Sequence, residues 1–180
     1  MEKLRIGLAL TGSYCTYDKA LAAAEELCKK DDVTAIMSET ASSTDSRFGA
    51  AADFISRLEA MTGKAVLKTI VEAEPVGPQN MFDVLVIAPC TGNTAAKLAN
   101  GITDSSVTMA AKSHLRNGRP VILAVSTNDA LAGAAENIGK LREIAKNHPC
   151  VDKTELLAFR KICQTKYDAM QIPFPFAHLP

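Results

Sequence analysis

Tryptophan is absent from this 180-residue sequence, and aromatic residues make up only 5% of it. A surface that stacks nucleic-acid bases needs aromatic side chains, so the composition argues against such a surface. Lys plus Arg and Asp plus Glu number 20 each, which leaves no net charge to attract nucleic acid or an anionic membrane. We therefore expect neither nucleic acid nor a membrane among the partners.

Other missing features narrow the class of protein further. No apolar stretch approaches the roughly 20 residues that a transmembrane helix needs, and the opening MEKLRIGLAL reads as a strand rather than a signal peptide. The five cysteines are odd in number and show no CxxC spacing, so we expect neither a disulfide framework nor a metal site. A cytoplasmic protein with one domain over residues 1–180 fits these limits best.

Apolar segments alternate with amphipathic ones along the chain. Strands are predicted at residues 4–10, 33–37, 65–71, 84–88 and 121–125. Helices are predicted at 17–30, 47–61, 95–101, 107–116, 134–146 and 152–167, with an edge strand within 170–180. The pattern predicts an α/β fold, a three-layer Rossmann-like or flavodoxin-like parallel sheet with helices on both faces. The wholly apolar runs 84–88 and 121–125 should be central strands, and Pro89 should end the first of them.

Polar loops follow the predicted strands, at residues 11–16, 38–45, 89–94 and 126–129. The carboxyl ends of parallel strands share one edge of the sheet, where ligands bind, and a helix start after residue 94 would favour a phosphate. Ordinary capped loops without a ligand are the alternative. The binding hypothesis predicts one cleft, lined by Thr11, Gly12, Ser13, Ser38, Pro89, Thr91, Gly92, Asn93, Thr94, Ser126 and Asn128.

The first strand–helix turn does not have the GxGxxG dinucleotide fingerprint. Gly7 lies inside the predicted strand and Gly12 stands alone after it. A nicotinamide nucleotide bound in the usual Rossmann manner is therefore not expected on this chain.

The segment APCTGNTAAKLANGITDS, residues 88–105, resembles the flavoprotein family of cysteine decarboxylases and prenyl-flavin synthases. In that family a similar segment helps to hold FMN. The phrases TGSYCTY, SSTDSRFG, EAEPVGP and AAKSHLRNGRPVILAVSTNDAL are more specific, and they resemble the B subunits of dipicolinate synthase of spore-forming bacteria. This second resemblance runs from about residue 5 to residue 141 and leaves the tail from about residue 142 unassigned.

The resemblance implies a function, which we state as an expectation. Such a B subunit would help to oxidise dihydrodipicolinate, a small dicarboxylate, to dipicolinate in the mother cell during sporulation. The A subunit of dipicolinate synthase would be its partner and would carry NAD or NADP. Relatives build their FMN sites where subunits meet, so a homo-oligomer built of trimers is expected. Two alternatives stay open: a non-catalytic assembly subunit, and a free-standing FMN enzyme acting on another small acid.

Departures from the family decide which chemistry is carried over. The decarboxylases have a catalytic His in the loop before the central strand, whereas this chain has Glu74 and Pro75 there and no His before His114. The decarboxylases also have a Pro-x-Met-Asn clamp, of which this chain keeps the Asn, as Asn128, but neither the Pro nor the Met. Cysteine decarboxylation is therefore not expected, and no catalytic residue is assigned.

Several reactive side chains have an ordinary structural explanation. Cys90 lies beside the predicted cleft but is expected to be a packing residue. His114, late in a helix, is expected to be solvated or matched to the helix dipole. Lys97, Lys112 and Arg116 could meet a dicarboxylate, although basic residues on amphipathic helices are usually just solvated.

Overall fold

Four parallel strands form the sheet, in the order β2-β1-β3-β4. The computed structural model describes residues 3–127 and 134–147. The strands are β1 (Arg5–Leu10), β2 (Asp32–Met37), β3 (Val84–Thr91) and β4 (Val121–Ser126). The helices are α1 (Tyr17–Cys28), α2 (Glu39–Ser43), α3 (Ala51–Thr62), α4 (Ile70–Ala73), α5 (Gly92–Ala99), α6 (Ser106–Leu115) and α7 (Ala135–Asn147), with 3-10 turns at Tyr14–Thr16 and Glu74–Val76.

Helices cover both faces of this sheet, because side chains alternate between the faces along each strand. On one face, Leu8 and Leu10 of β1 pack with Leu21 of α1 and Phe54 of α3. On the other face, the opposite side chains of the same strands join the buried residues of α5, α6 and the Glu74–Val76 turn. The predicted three-layer α/β architecture with a parallel sheet is confirmed.

The strand predicted at residues 65–71 is wrong. Within this run, Leu67 alone pairs with a strand, through an isolated bridge to Ile36. The chain then turns helical, because Thr69 and Glu72 form a capping box that starts α4. The loop before the central strand, which contains Glu74 and Pro75, likewise begins with helical turns, and the polar loop predicted at residues 38–45 holds α2.

The central position predicted for residues 121–125 is also wrong within the described part of the chain. There β4 is the last strand, paired only with β3. The side chains of Ile122 and Val125 are 54% and 40% exposed. An apolar run normally indicates cover on both faces. Here the run instead leaves an apolar surface uncovered at one end of the sheet.

Two element boundaries differ from the prediction. β3 continues past Pro89 to Thr91, with an irregular register between Ile87 and Cys90 that accommodates a residue without an N–H group; the Ala88–Pro89 peptide bond is cis. α3 begins at Ala51 rather than at residue 47, and the Asp45 carboxylate accepts a hydrogen bond from the Ala51 N–H at 2.9 Å. Gly63 ends α3 in the left-handed region, with φ +67°.

An ion cluster ties together the amino ends of the strands. The Asp83 carboxylate accepts hydrogen bonds from the Arg5 guanidinium and backbone N–H and from the Arg119 guanidinium, at 2.6 to 3.2 Å. These donors, Arg5 first, hold the pKa of Asp83 well below its usual range. Because this cluster lies where β1, β3 and β4 begin, the opposite edge of the sheet is the one that carries the polar loops.

None of the helices in the described residues combines the length and the apolar character needed to cross a bilayer. The predicted helix 152–167, the predicted strand within 170–180, and Asn128 lie outside the described residues.

Candidate functional site

The carboxyl ends of β1 and β3 are joined through the Thr11 side chain. Its hydroxyl donates to the Pro89 carbonyl at 2.7 Å and accepts from the Thr91 N–H at 2.9 Å. The Tyr17 hydroxyl donates to the Thr11 carbonyl at 3.0 Å. Thr11 is only 1% exposed, so its hydroxyl is fully engaged within the protein. Thr11 therefore positions the two loops instead of offering a group to a ligand.

A second link brings in the end of β4. The hydroxyls of Ser13 and Ser126 are hydrogen-bonded to each other at 2.8 Å across 113 positions of sequence. Ser13 belongs to the loop after β1, and Ser126 is the last residue of β4. Three strand ends thus meet in one wall of hydroxyls and backbone groups, which we call the carboxyl-edge wall: Thr11, Gly12, Ser13, Pro89, Thr91, Gly92, Asn93, Thr94 and Ser126.

The wall includes the start of α5. The Thr91 hydroxyl caps this helix by accepting from the Thr94 N–H at 3.2 Å, and it donates to the Thr94 hydroxyl at 3.0 Å. Gly92 and Asn93 form the first turn, and Asn93 is exposed. The first turn of an α-helix carries partial positive charge from backbone N–H groups, which favours an anion.

Ser38 lies beside the wall, after β2. Its N–H donates to the Leu10 carbonyl at 3.1 Å, and its hydroxyl caps α2 by accepting from the Ala41 N–H at 3.3 Å. The Tyr14 hydroxyl donates to the Thr40 carbonyl at 3.1 Å, which ties α2 to the loop after β1. Ten of the eleven predicted site residues therefore lie along one edge of the sheet.

Glu39 was not predicted as part of this edge. Its carboxylate accepts two hydrogen bonds from the Ser106 N–H, at 2.9 and 3.2 Å, and so occupies the start of α6. The Ser106 hydroxyl donates to the Met37 carbonyl at 2.6 Å, which holds α6 against the end of β2. The sequence has no spacing pattern that would predict this contact, because Glu39 and Ser106 are 67 positions apart.

The wall has open space above Gly12 in the part of the chain that the structure describes. Among those residues, a Cβ built on Gly12 would approach only the Tyr14 ring, at 3.8 Å. The depressions of about 520 and 310 Å³ elsewhere on the protein contain no residue of the wall. The smaller one is lined in part by Lys112 and Arg116, so these cations face a different surface from the wall.

Two candidate reactive residues are buried. Cys90 is 0% exposed, and burial raises the pKa of its thiol to about 12, so it is not a thiolate at neutral pH. The expectation that His114 is solvated is wrong, because it is also 0% exposed and lies near the Phe82 ring. Lys97 forms an ion pair with Asp104 at 2.9 Å.

Comparison with known proteins shows to which family this chain belongs. The Flavoprotein family matches residues 1–168. This chain belongs to the Flavoprotein family. The strand order β2-β1-β3-β4 is the flavodoxin-like order, and the fold prediction is confirmed in that respect as well.

Individual relatives sharpen the comparison. The B subunit of dipicolinate synthase from Bacillus subtilis (strain 168) is 46% identical over 138 residues, covering 76% of this chain and 69% of that protein. The crystal structure of the corresponding B subunit from Bacillus halodurans is 42% identical, with a TM-score of 0.68, and the match covers 77% of this chain and 71% of that one. The predicted resemblance to these B subunits is confirmed.

A more distant similarity is to an FMN-dependent cysteine decarboxylase, TvaF, from thioviridamide biosynthesis. It is 25% identical, with a TM-score of 0.57, and the match covers 79% of this chain and 87% of that one. The chain is thus much more similar to the B subunits than to this decarboxylase.

Proposed function

We propose that this chain is the B subunit of a two-subunit dipicolinate synthase and that its carboxyl-edge wall binds FMN. The observation that carries the proposal is the joining of three strand ends by Thr11 and by the Ser13–Ser126 pair. That wall stands where α/β sheets bind ligands. The 46% identity to a protein named as such a subunit supports the choice of reaction.

The residues of the wall fit a flavin phosphate and its ribityl chain. Hydroxyls, backbone N–H groups and a helix start are suitable donors for a phosphate. Ser13, Gly92 and Asn93 are the residues that would hold it, since Thr11 is engaged internally. The open space above Gly12 leaves room for a group to lie against the backbone. Bound FMN would supply a two-electron redox centre.

The reaction would proceed only with a partner. Oxidising dihydrodipicolinate to dipicolinate removes two electrons and two protons, in effect a hydride and a proton, and NAD or NADP on the A subunit would accept the hydride. No residue of the described wall is ionisable, and Cys90, behind it, is a neutral thiol. The task left to this chain is to hold FMN and position the substrate beside the A subunit.

A rate assay tests this function. Dihydrodipicolinate and NADP are given to the purified chain, to the A subunit, and to the mixture, and dipicolinate is followed by ultraviolet absorbance. We expect rapid formation only in the mixture. Gly92→Asp should suppress the rate, because a carboxylate at the start of α5 repels a phosphate. The exposed Gly139→Asp on α7, where a Cβ would meet nothing within 4 Å, should not.

Two results would reject the proposal. One is an equal rate with and without the A subunit, which would indicate a free-standing enzyme. The other is a two-subunit rate untouched by Gly92→Asp, which would remove the wall from the chemistry.

A further inference from the structure

A tight turn between α2 and α3, residues 46–49, is held rigidly; we call it the Arg47 turn. The Ser46 N–H donates to the Gly49 carbonyl at 3.0 Å, and the Gly49 N–H donates back to the Ser46 carbonyl at 3.1 Å. The Phe48 N–H donates to the Ser46 hydroxyl at 3.2 Å. Gly49 has φ +145°, and a Cβ there would lie 2.9 Å from the Phe54 ring. The turn is therefore preorganised and requires glycine at this position.

The turn presents a cation and an aromatic ring to solvent. Arg47 is exposed, Phe48 is 45% exposed, and the guanidinium carbon lies 4.8 Å from the Phe48 ring centroid. No carboxylate in the described ranges forms an ion pair with Arg47, whereas Arg5 and Arg119 both form ion pairs with Asp83. A rigid arginine–aromatic pair of this kind is typical of the residues that dominate protein–protein binding.

The turn lies beside the carboxyl-edge wall. Gly49 lies against the Phe54 ring, the Phe54 and Tyr17 ring centroids are 4.8 Å apart, and the Tyr17 hydroxyl donates to the Thr11 carbonyl of the wall. Residues 43–45, 47 and 48 are exposed, and neither of the two depressions described above includes them. An exposed arginine beside an exposed aromatic ring offers the kind of contact that another protein can cover.

The strand order separates the turn from the uncovered apolar surface of β4. α3 packs on β2, at one end of the sheet, and β4 lies at the other end. A second copy that covers β4 would leave the Arg47 turn free. A protein bound at the turn would instead stand over the strand ends of the wall.

We propose that the Arg47 turn docks the nicotinamide-carrying subunit, with Arg47 binding a carboxylate of that protein and Phe48 packing on an apolar spot beside it. The inference rests on the proposed function and adds where the two subunits meet. Docking there places the second subunit's active site next to the wall, as transfer of a hydride between them requires.

Titration of the labelled A subunit with the FMN-loaded full chain tests the proposal. Arg47→Glu and Phe48→Ser should each raise the Kd about tenfold or more, as truncation of a dominant contact does. Arg47→Gln should reduce the dependence of Kd on salt concentration, because one ion pair is lost. When the A subunit is saturating, kcat and the KM for dihydrodipicolinate should match those of the unaltered chain.

Matched controls come from exposed residues elsewhere. Arg57→Glu on α3 and Val71→Ser on α4, where Val71 is 76% exposed, should leave the Kd unchanged. Equal binding by the Arg47 and Phe48 variants would overturn the docking proposal alone. A change in FMN affinity, in KM at saturation or in the mass of the homo-oligomer would also overturn it, because the turn would then serve the cleft or a second copy. An unaltered chain that fails to bind the A subunit would reject the proposed function itself.

Discussion

At the scale of single residues, the site separates groups that build it from groups that can bind. Thr11 is buried and uses its hydroxyl both as donor and as acceptor, so it fixes the wall. Gly12, next to it, has free space where a side chain would be. Gly7, five residues earlier, has none: a Cβ would meet the Phe82 ring at 2.6 Å.

This contrast predicts opposite effects of the same substitution. Gly12→Ala should change the free energy of unfolding by less than about 0.5 kcal/mol, as for an open surface position. The same substitution should raise the Kd for FMN about tenfold, which corresponds to about 1.4 kcal/mol of binding free energy. Gly7→Ala should cost about 1–3 kcal/mol of stability through overpacking and leave the FMN affinity of the folded protein unchanged. Urea unfolding and flavin fluorescence titration measure the two quantities. Unaltered FMN affinity in Gly12→Ala would contradict the binding site.

At the scale of elements, the joint between α6 and β4 depends on a neutral histidine. His114 Nε2 donates to the Pro120 carbonyl at 3.1 Å, which fixes the tautomer and leaves the buried Nδ1 without a hydrogen-bond partner among the described residues. Burial lowers the pKa of His114, and the nearby Arg119 adds to this, while the Pro120 carbonyl and Asp83 oppose it. The amino edge of the sheet is therefore sensitive to acid.

The sign of the pH effect follows from linkage. In the unfolded chain, His114 takes up a proton near the ordinary histidine pKa of about 6.5. In the folded chain it takes up the proton only at a lower pH, because burial lowers its pKa. The stability that His114 contributes is thus complete above the unfolded pKa and is lost as the pH falls through its lower folded value. Urea unfolding midpoints at about pH 8 and about pH 5 should differ less in His114→Gln, which can still donate to Pro120 but cannot ionise. An unchanged pH slope in this variant would refute the role of His114.

Elements that depend on local pattern were predictable, and those that depend on distant contacts were not. The apolar residues of β3 and the polar residues at the start of α5 are enough to predict a strand, a turn and a helix in that order. The run at residues 65–71 is also rich in aliphatic residues but contains Lys68 and Thr69, and a capping box at Thr69 and Glu72 converts its end to helix. The exposure of Ile122 depends on which strand ends the sheet, and His114 is buried because Phe82 and Pro120 surround it. The sequence predicts that hydroxyl groups line the wall. It does not predict which of these hydroxyls form hydrogen bonds within the protein, as that of Thr11 does.

At the scale of the whole molecule, the residues that the structure describes leave one apolar surface without cover. Ile122 pairs with Val86 in register and shares its face of the sheet, where Val86 and Ala88 are also only partly buried. The helices α1 and α3 cover this face over β1 and β2 instead. Association with further copies of the chain would remove this surface from water.

We accordingly predict a homo-oligomer, built of trimers, that depends on Ile122. Ile122→Glu should dissociate it, because a carboxylate would be buried without a partner at the contact. Ile144→Glu is the matched control, since Ile144 is 53% exposed on α7, a helix that packs against α5 on the other face of the sheet. Light scattering at micromolar concentration gives the masses. An unaltered chain that is monomeric, or an Ile122→Glu variant of full mass, would disprove the prediction.

At the carboxyl edge of the sheet, the Glu39 carboxylate occupies a helix start that an anionic ligand could otherwise bind. Two helices, α5 and α6, begin there, and each offers a positive end to an anion. At α6 that end is already taken by Glu39 through the Ser106 N–H. A chain with two equivalent helix starts could bind a phosphate in either of two registers, so that a ring system attached to it would point in two directions. Because the start of α6 is filled from within, a phosphate bound at this edge would be directed to α5, and this would set one orientation for whatever the phosphate carries.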